Sequence, residues 1–245
     1  MLYRKRGSTW ALTEARAESV ERSADSFALS SSRIQREGDS LLVHLDERTA
    51  PWGRPLRGRV RIDIEHGAPG PYRLDQAGDH HWWPIGARAS AEVELDTPAV
   101  RFRGSAYHDC NFGQVPLEQT FESWNWSRAN VGGDVYILYD VQEHDAAGAP
   151  LGLRLRPEGV EALSTNVAAR LPRGFWGMEG STRAHGQTQV IRTLEDTPFY
   201  TRSLLQTSFD GQDCVAMHES LSMTKFVKPW VQFLLPFRIR RGWRA

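Results

Sequence analysis

The sequence predicts an all-β protein built from antiparallel strands, as sandwich or barrel. Three observations predict it: apolar and polar residues alternate along much of the chain, turn-forming clusters separate the alternating runs, and helical periodicity is scarce. Taken in order, Glu14 to Arg22 holds helix-forming residues with only a weak apolar stripe, and is the one helical candidate. RVRIDIE places Val60, Ile62 and Ile64 on one face and Arg59, Arg61, Asp63 and Glu65 on the other. The pattern returns in Ala91, Val93 and Leu95, in Val135, Ile137, Tyr139 and Val141, and in Leu153 and Leu155. A period of two with one polar face describes a half-buried strand. Between the runs lie Gly67 to Pro71, Asp145 to Gly148, Pro157 to Gly159 and Asp210-Gly211, all turn chemistry. The last of these, between TRSLLQTSF and CVAMHESLSM, predicts a hairpin. ANVGGD at 129–134 either divides the chain into halves 1–130 and 131–245 or is a simple turn.

The chain has 245 residues, ample for a buried core. Thirty Lys and Arg balance thirty Asp and Glu, so charge gives no pointer to nucleic acid as a partner. Nine Trp are more than core filling needs, and Trp suits places where an apolar body carries a polar tip, such as binding cavities and membrane interfaces. Cys110 and Cys214 make neither a disulfide framework nor a zinc pattern. No apolar run approaches the ~18–20 residues of a spanning helix, and the first ten residues do not read as a secretion signal.

Chemistry concentrates in HHWWP at 80–84 and GSAYHDCNFGQVPLEQTFESWNWSR at 104–128. A lone Asp in a strand is usually a turn or edge residue. Asp109 has other company: Tyr107, two residues away on a strand, shares its face, as does Asn111, able to orient a carboxyl group or a water by hydrogen bonding. Desolvation among Tyr and Trp rings favours the neutral, proton-bearing form of a carboxyl group. His80 and Trp82 share one face of their segment, His81 and Trp83 the other, and alternation alone leaves open which pair looks inward. Trp124 and Trp126 share a face too, as core or as cavity wall offering π faces to a cation. Adjacent His residues on a strand diverge and no HxH or HExxH spacing occurs, so no metal is expected. Neither a GxSxG elbow nor a Gly-rich phosphate loop is present, which disfavours serine hydrolysis and nucleotide cofactors.

The tail, KPWVQFLLPFRIRRGWRA at 228–245, mixes aromatic and basic residues around a short apolar run. Two readings stand: a last strand with its arginines toward water, or contact with an anionic bilayer through 229–245.

HHWWP followed by GSAYHDCNFG-x-x-PLE-x-x-F-x-x-W-x-WSRA, with WALTEAR, APWGRPLRGRVRI and WGMEG at 176–180, resembles the bacterial carotenoid 1,2-hydratases, also called hydroxyneurosporene synthases. The resemblance covers nearly the whole chain, and its central block is specific. It implies a lipocalin-like fold of two barrel-like halves and cofactor-free addition of water to the terminal double bond of acyclic carotenoids such as lycopene or neurosporene. It also implies work at the periphery of the photosynthetic inner membrane of a bacterium. The family pattern His-x-Trp-x-Pro then Tyr-x-Asp falls here on His80, Trp82, Pro84, Tyr107 and Asp109. Members usually carry several tens of residues before WALTEAR, whereas nine precede Trp10 here, which leaves open whether the first half has its opening strands. On this resemblance Asp109 is expected to protonate the alkene, with Trp82 and one of Trp124 or Trp126 steadying the carbocation. His80 and Tyr107 are expected to orient Asp109 or the water that captures the cation. The rival expectation is a non-catalytic carrier of apolar isoprenoids, which would share the aromatic site and tolerate the loss of the Asp109 carboxyl.

Overall fold

The alternating runs become strands folded back on one another by their turns, in a computed structural model that describes residues 1–4, 8–146, 148–235 and the backbone of 239–241. At the start, β1 (Leu2–Tyr3) and β2 (Ser8–Thr9) form a short ladder, and β3 (Thr13–Ala15) runs parallel to β21 (Ile239–Arg241). Then come β4 (Val20–Arg22), β5 (Ser26–Leu29), β6 (Ser32–Glu37), β7 (Ser40–Arg48) and β8 (Pro55–His66), each antiparallel to the next. They are followed by short β9 (Tyr72–Arg73) and the long β10 (His80–Thr97) and β11 (Ala99–Gly113). The sheet order is β11, β10, β8, β7, β6, β5, β4, with β9 paired to β10. A turn of helix α1 (Leu117–Thr120) leads into β12 (Phe121–Val131), β13 (Asp134–Glu143), β14 (Leu151–Arg156) and β15 (Gly159–Ala162). After a small ladder of β16 (Ala169–Arg170) with β17 (Ser181–Thr182) come β18 (Gln189–Asp196), β19 (Tyr200–Phe209) and β20 (Gln212–Ser222). Two short helices, α2 (Met223–Phe226) and α3 (Pro229–Phe233), follow. The second large sheet has the order β15, β14, β13, β12, β20, β19, β18.

The antiparallel all-β class expected from alternation is the one observed. Among the described residues no helix is long and apolar enough to cross a membrane. The helix expected over Glu14 to Arg22 is replaced by β3, one 3-10 turn (Ala17–Ser19) and β4. Without an apolar stripe, the segment gains more by pairing β4 with β5 than by winding alone.

Contacts divide the chain into two compact units that interleave in sequence. The first comprises Met1–His66, Arg88–His108 and Leu234–Ala245, the second Gly67–Ala87 and Asp109–Phe233. The division therefore does not follow the possible seam at 129–134, whose residues close the β12–β13 hairpin with Val131 opposite Asp134 and Gly132 at φ 58.

In the first unit, Val60 stands opposite both Val43 and Val93, and Ile62 opposite Leu41 and Ala91, as the alternation required. The polar face is covered by cross-strand ion pairs: Asp46 lies opposite Arg57 at 2.8 Å, and Glu94 opposite Arg59. Exposed pairs of this kind contribute a few tenths of a kcal/mol each to roughly 1 kcal/mol.

In the second unit the hairpin expected at Asp210-Gly211 forms, with both residues at positive φ (49 and 75), as a two-residue type I′ turn requires. Val135 to Tyr139 are all buried, so β13 is covered on both faces rather than on the one that alternation implied. On one face Ala129, Tyr136, Leu138, Leu205, Phe209 and Ala216 form an apolar core in which Tyr136 stacks on Phe209 at 4.8 Å. Further along that face the core turns polar. His218 bonds Ser127 through Nδ1 at 2.8 Å and Ser220 through Nε2 at 2.9 Å, and Ser220 donates to Asn125 Oδ1 at 2.8 Å. Ser127, His218 and Ser220 are each at most 3% exposed. The opposite face of β12 and β13 carries Trp124, Trp126, Tyr139 and Val141, and it positions the site.

Candidate active site

A carboxylate turn starts the site. Asp75, itself buried, accepts from the backbone N–H of Asp79 at 3.1 Å and of His80 at 2.9 Å, which fixes where β10 begins. Alternation from that point buries His80, Trp82 and Pro84. His81 and Trp83 turn the other way: His81 stacks on Phe112 at 5.4 Å, and Trp83 donates to the Ala68 carbonyl at 3.0 Å. The choice that alternation left open is therefore made by the start of the strand.

His80 is held on three sides. Its Nε2 lies 3.1 Å from Thr120 Oγ1, and its ring centroid is 4.9 Å from that of Phe121. Behind it Gly113 leaves room that a Cβ would take, since that atom would lie 2.4 Å from His80 Nδ1. The segment PLEQTF supplies two of these contacts, because α1 ends where β12 begins and so delivers Thr120 and Phe121 together.

Trp82 is fully buried, and its indole N–H donates to Asp109 Oδ2 at 2.8 Å. Tyr72, opposite Trp82 across the β9–β10 ladder, places its ring 5.8 Å away, and Tyr139 meets Trp82 edge-on at 5.4 Å. Asp109 is half-buried rather than enclosed. Burial pushes the Tyr139 hydroxyl well above its ordinary range, with the Asp109 and Glu219 carboxylates adding to the effect. Tyr139 therefore stays a hydroxyl donor beside Asp109; its O–H reaches Asn111 Oδ1 at 3.5 Å, the long limit of a hydrogen bond.

Trp126 is buried and pairs across the ladder with Tyr139, while Trp124 is half-buried and lies edge-on to Phe121 at 6.3 Å. Their registers put both on the Tyr139 face of β12 and β13. Asn111 is exposed. Tyr107 is half-buried and precedes Asp109 by two on β11, within the first unit, whereas Asp109 opens the second unit's share of that strand. Cys110 and Cys214 are not joined by a disulfide. A cleft of about 330 Å³ in the second unit, lined by Asn125, Asp140 and Arg183, includes neither Trp82 nor Asp109 in its wall.

The chemistry of this arrangement is narrow. One carboxyl group is held by an indole N–H at one oxygen, with Tyr139 coupled to it electrostatically and further rings packed against that indole. Such a group can give a proton to, and take one from, an apolar molecule whose developing positive charge the rings would steady.

The whole chain, residues 1–245, matches the family model for carotenoid hydratase CrtC. The chain belongs to the carotenoid hydratase family. It is 38% identical over 244 residues to the acyclic carotenoid 1,2-hydratase of Thiocapsa roseopersicina and 33% identical over 244 residues to that of Rubrivivax gelatinosus. Those alignments cover 98% of this chain and 60% of each relative, so the chain spans about three fifths of their length. The crystal structure of AttH from Nitrosomonas europaea shares the fold at a TM-score of 0.60 and 12% identity, over 85% of this chain and 73% of that one.

Within this carotenoid hydratase family member, the structure brings Trp82 and Asp109 into direct contact and joins them to Tyr139. Its His80 ring is instead bonded to Thr120. Reading the sequence missed Tyr139, Tyr72 and Thr120 as members of the site. The signal for Tyr139 was its place on the alternating face of β13; nothing local marked the other two.

Proposed function

We propose that this chain adds water to the terminal C1–C2 double bond of an acyclic carotenoid without a cofactor, with Asp109 as the acid. The hydrogen bond from a fully buried Trp82 to Asp109 is the observation that carries this reading. With Oδ2 accepting from the indole, the proton delivered to C2 is the one on Oδ1. The tertiary cation then left at C1 is steadied by an aromatic face, Trp124 being the one of Trp82, Trp124 and Trp126 that is not buried, at about 0.5–2 kcal/mol. Water adds to C1, and its surplus proton returns to Asp109, so the acid is restored and the atoms balance. An apolar chain seated against Asp109 excludes the water that half-burial still admits. Asn111 and Tyr139 offer the water polar partners.

His80 acts through position. Its bonds to Thr120 and the backbone lock of Asp75 fix the start of β10 and hence the place of Trp82 two residues on. Gly113→Ala should therefore push the His80 ring off Thr120 and lower turnover about tenfold, at a stability cost of about 1–3 kcal/mol for the overpacking. Turnover assays alongside urea unfolding check this; an unchanged rate would detach His80 from the site.

The reading as a whole is tested by expressing the chain in cells that accumulate lycopene and analysing their pigments. A tertiary alcohol at C1 is the expected product. Lycopene that co-purifies unchanged with the protein would favour a carrier instead, and a carrier would bind equally well as Asp109→Leu.

A further inference from the structure

Unit two carries an aromatic group, distinct from the rings that meet Trp82, that its packing leaves in water. Phe175 is 89% exposed, Phe233 79%, Trp230 51% and Trp176 43%. Three of them are in contact: Phe175 meets Trp176 edge-on at 5.5 Å, and Trp176 stacks on Trp230 at 6.4 Å with an interplanar angle of 26°, while Phe233 lies on the same helix α3 as Trp230. Two segments distant in sequence build the group, the loop 174–177 and helix α3.

Both segments are anchored, so the rings are displayed by a frame. The Phe175 backbone N–H donates to Asp196 Oδ2 at 2.6 Å, and Lys225 Nζ donates to the Gly177 carbonyl at 2.9 Å. Met178 and Val231, at 3% and 1% exposure, root the loop and α3 in the second unit. Gln232 Nε2 donates to the Phe226 carbonyl at 2.6 Å and ties α3 back to α2. Anchored side chains have nowhere further to bury themselves, and large rings held in water point to a partner that covers them.

The charge pattern selects the partner. From residue 223 to the end the sequence carries Lys225, Lys228, Arg238, Arg240, Arg241 and Arg244 and no Asp or Glu. Among the described residues, Lys225 and Lys228 flank α3 and its Trp230 and Phe233. Trp and Phe rings with such cations match the headgroup layer of an anionic bilayer, where rings enter the interface and each Lys or Arg near the surface contributes about 1 kcal/mol. A second copy of this chain would bring a second set of the same cations against the first. We infer that Phe175, Trp176, Trp230 and Phe233 form a docking surface for an anionic lipid bilayer. This rests on the proposed function insofar as an acyclic carotenoid resides in such a bilayer. It extends the contact expected for 229–245 to the loop 174–177; of that tail, residues 236–238 and 242–245 lie outside the described residues, and only the backbone of 239–241 is described.

The test uses the whole chain and vesicle flotation. Vesicles of equal parts phosphatidylglycerol and phosphatidylcholine should carry the protein, and phosphatidylcholine vesicles should carry far less. The double variant Phe175→Ser with Phe233→Ser removes only exposed rings, and should bind the anionic vesicles about tenfold more weakly or worse. Lys228→Glu should weaken binding too, most at low salt. Val167→Ser, another residue 89% exposed in the second unit, should bind as the parent does. A double variant that floats like the parent overturns the inference. So does a parent that fails to float and instead forms a dimer that the double variant loses. Hydration of detergent-dispersed lycopene is read in parallel and should be unchanged in the double variant. If the parent makes no tertiary alcohol there, the proposed activity fails while the flotation result still decides the surface.

Discussion

Asp109→Asn should abolish hydration of lycopene, by about 10³-fold or more, while leaving the protein folded. The amide still offers an oxygen to the Trp82 indole N–H at the position where Oδ2 accepts it at 2.8 Å, so the structural role of the side chain survives. What the amide lacks is a transferable proton. The expected result is a melting temperature within a few degrees of the parent and no tertiary alcohol. Retained hydration in Asp109→Asn would remove the acid from the mechanism, whatever its contacts. Trp82→Phe is the informative companion: it keeps a π face and most of the volume but loses the N–H that sets the carboxyl orientation. A loss much smaller than that of Asp109→Asn would place Trp82 in orientation of the carboxyl group, not in proton transfer.

The second large effect is on stability and lies in the polar core behind β12. Burial lowers the pKa of His218 to about 4, against an ordinary value near 6.5, because a charge there would leave water for a pocket already filled by Ser127 and Ser220. A depressed value means that the fold resists the proton which the unfolded chain accepts. The contribution of the neutral ring is thus complete above about pH 6.5. It is lost as the pH falls from there toward 4, and levels off below. The gap of about two and a half units corresponds to about 3 kcal/mol. Urea unfolding of the parent at pH 7, 5 and 4, set against His218→Gln, should show the parent losing about that much more than the variant. Parallel curves would mean that the ring is protonated as easily in the fold as out of it.

Strand class was legible because alternation is a local property. The registers Val60 with Val43 and Val93, and Ile62 with Leu41 and Ala91, follow from which residues are apolar. The Asp210-Gly211 hairpin was equally local, since only a residue pair tolerant of positive φ closes so short a turn. Tyr136 to Tyr139 show where that logic stops. A run with polar neighbours implied one wet face, but packing from both sides buries all of it, and only contacts between distant segments could reveal that. The same limit explains the missed polar core: Ser127, His218 and Ser220 look unremarkable one at a time and become a network only when β12 and β20 lie side by side.

What the sequence determined by itself is the inventory: an antiparallel β protein, and a short block that brings the acid, the indole and the histidine into one stretch of chain. Tertiary structure decided which of those groups touch. Trp82 reaches Asp109, His80 turns to Thr120, and Tyr139 arrives from a strand that no motif connected with the site. The physical reason is range: side-chain alternation and turn chemistry act over a few residues, whereas the surroundings of a proton donor are assembled from strands dozens of residues apart.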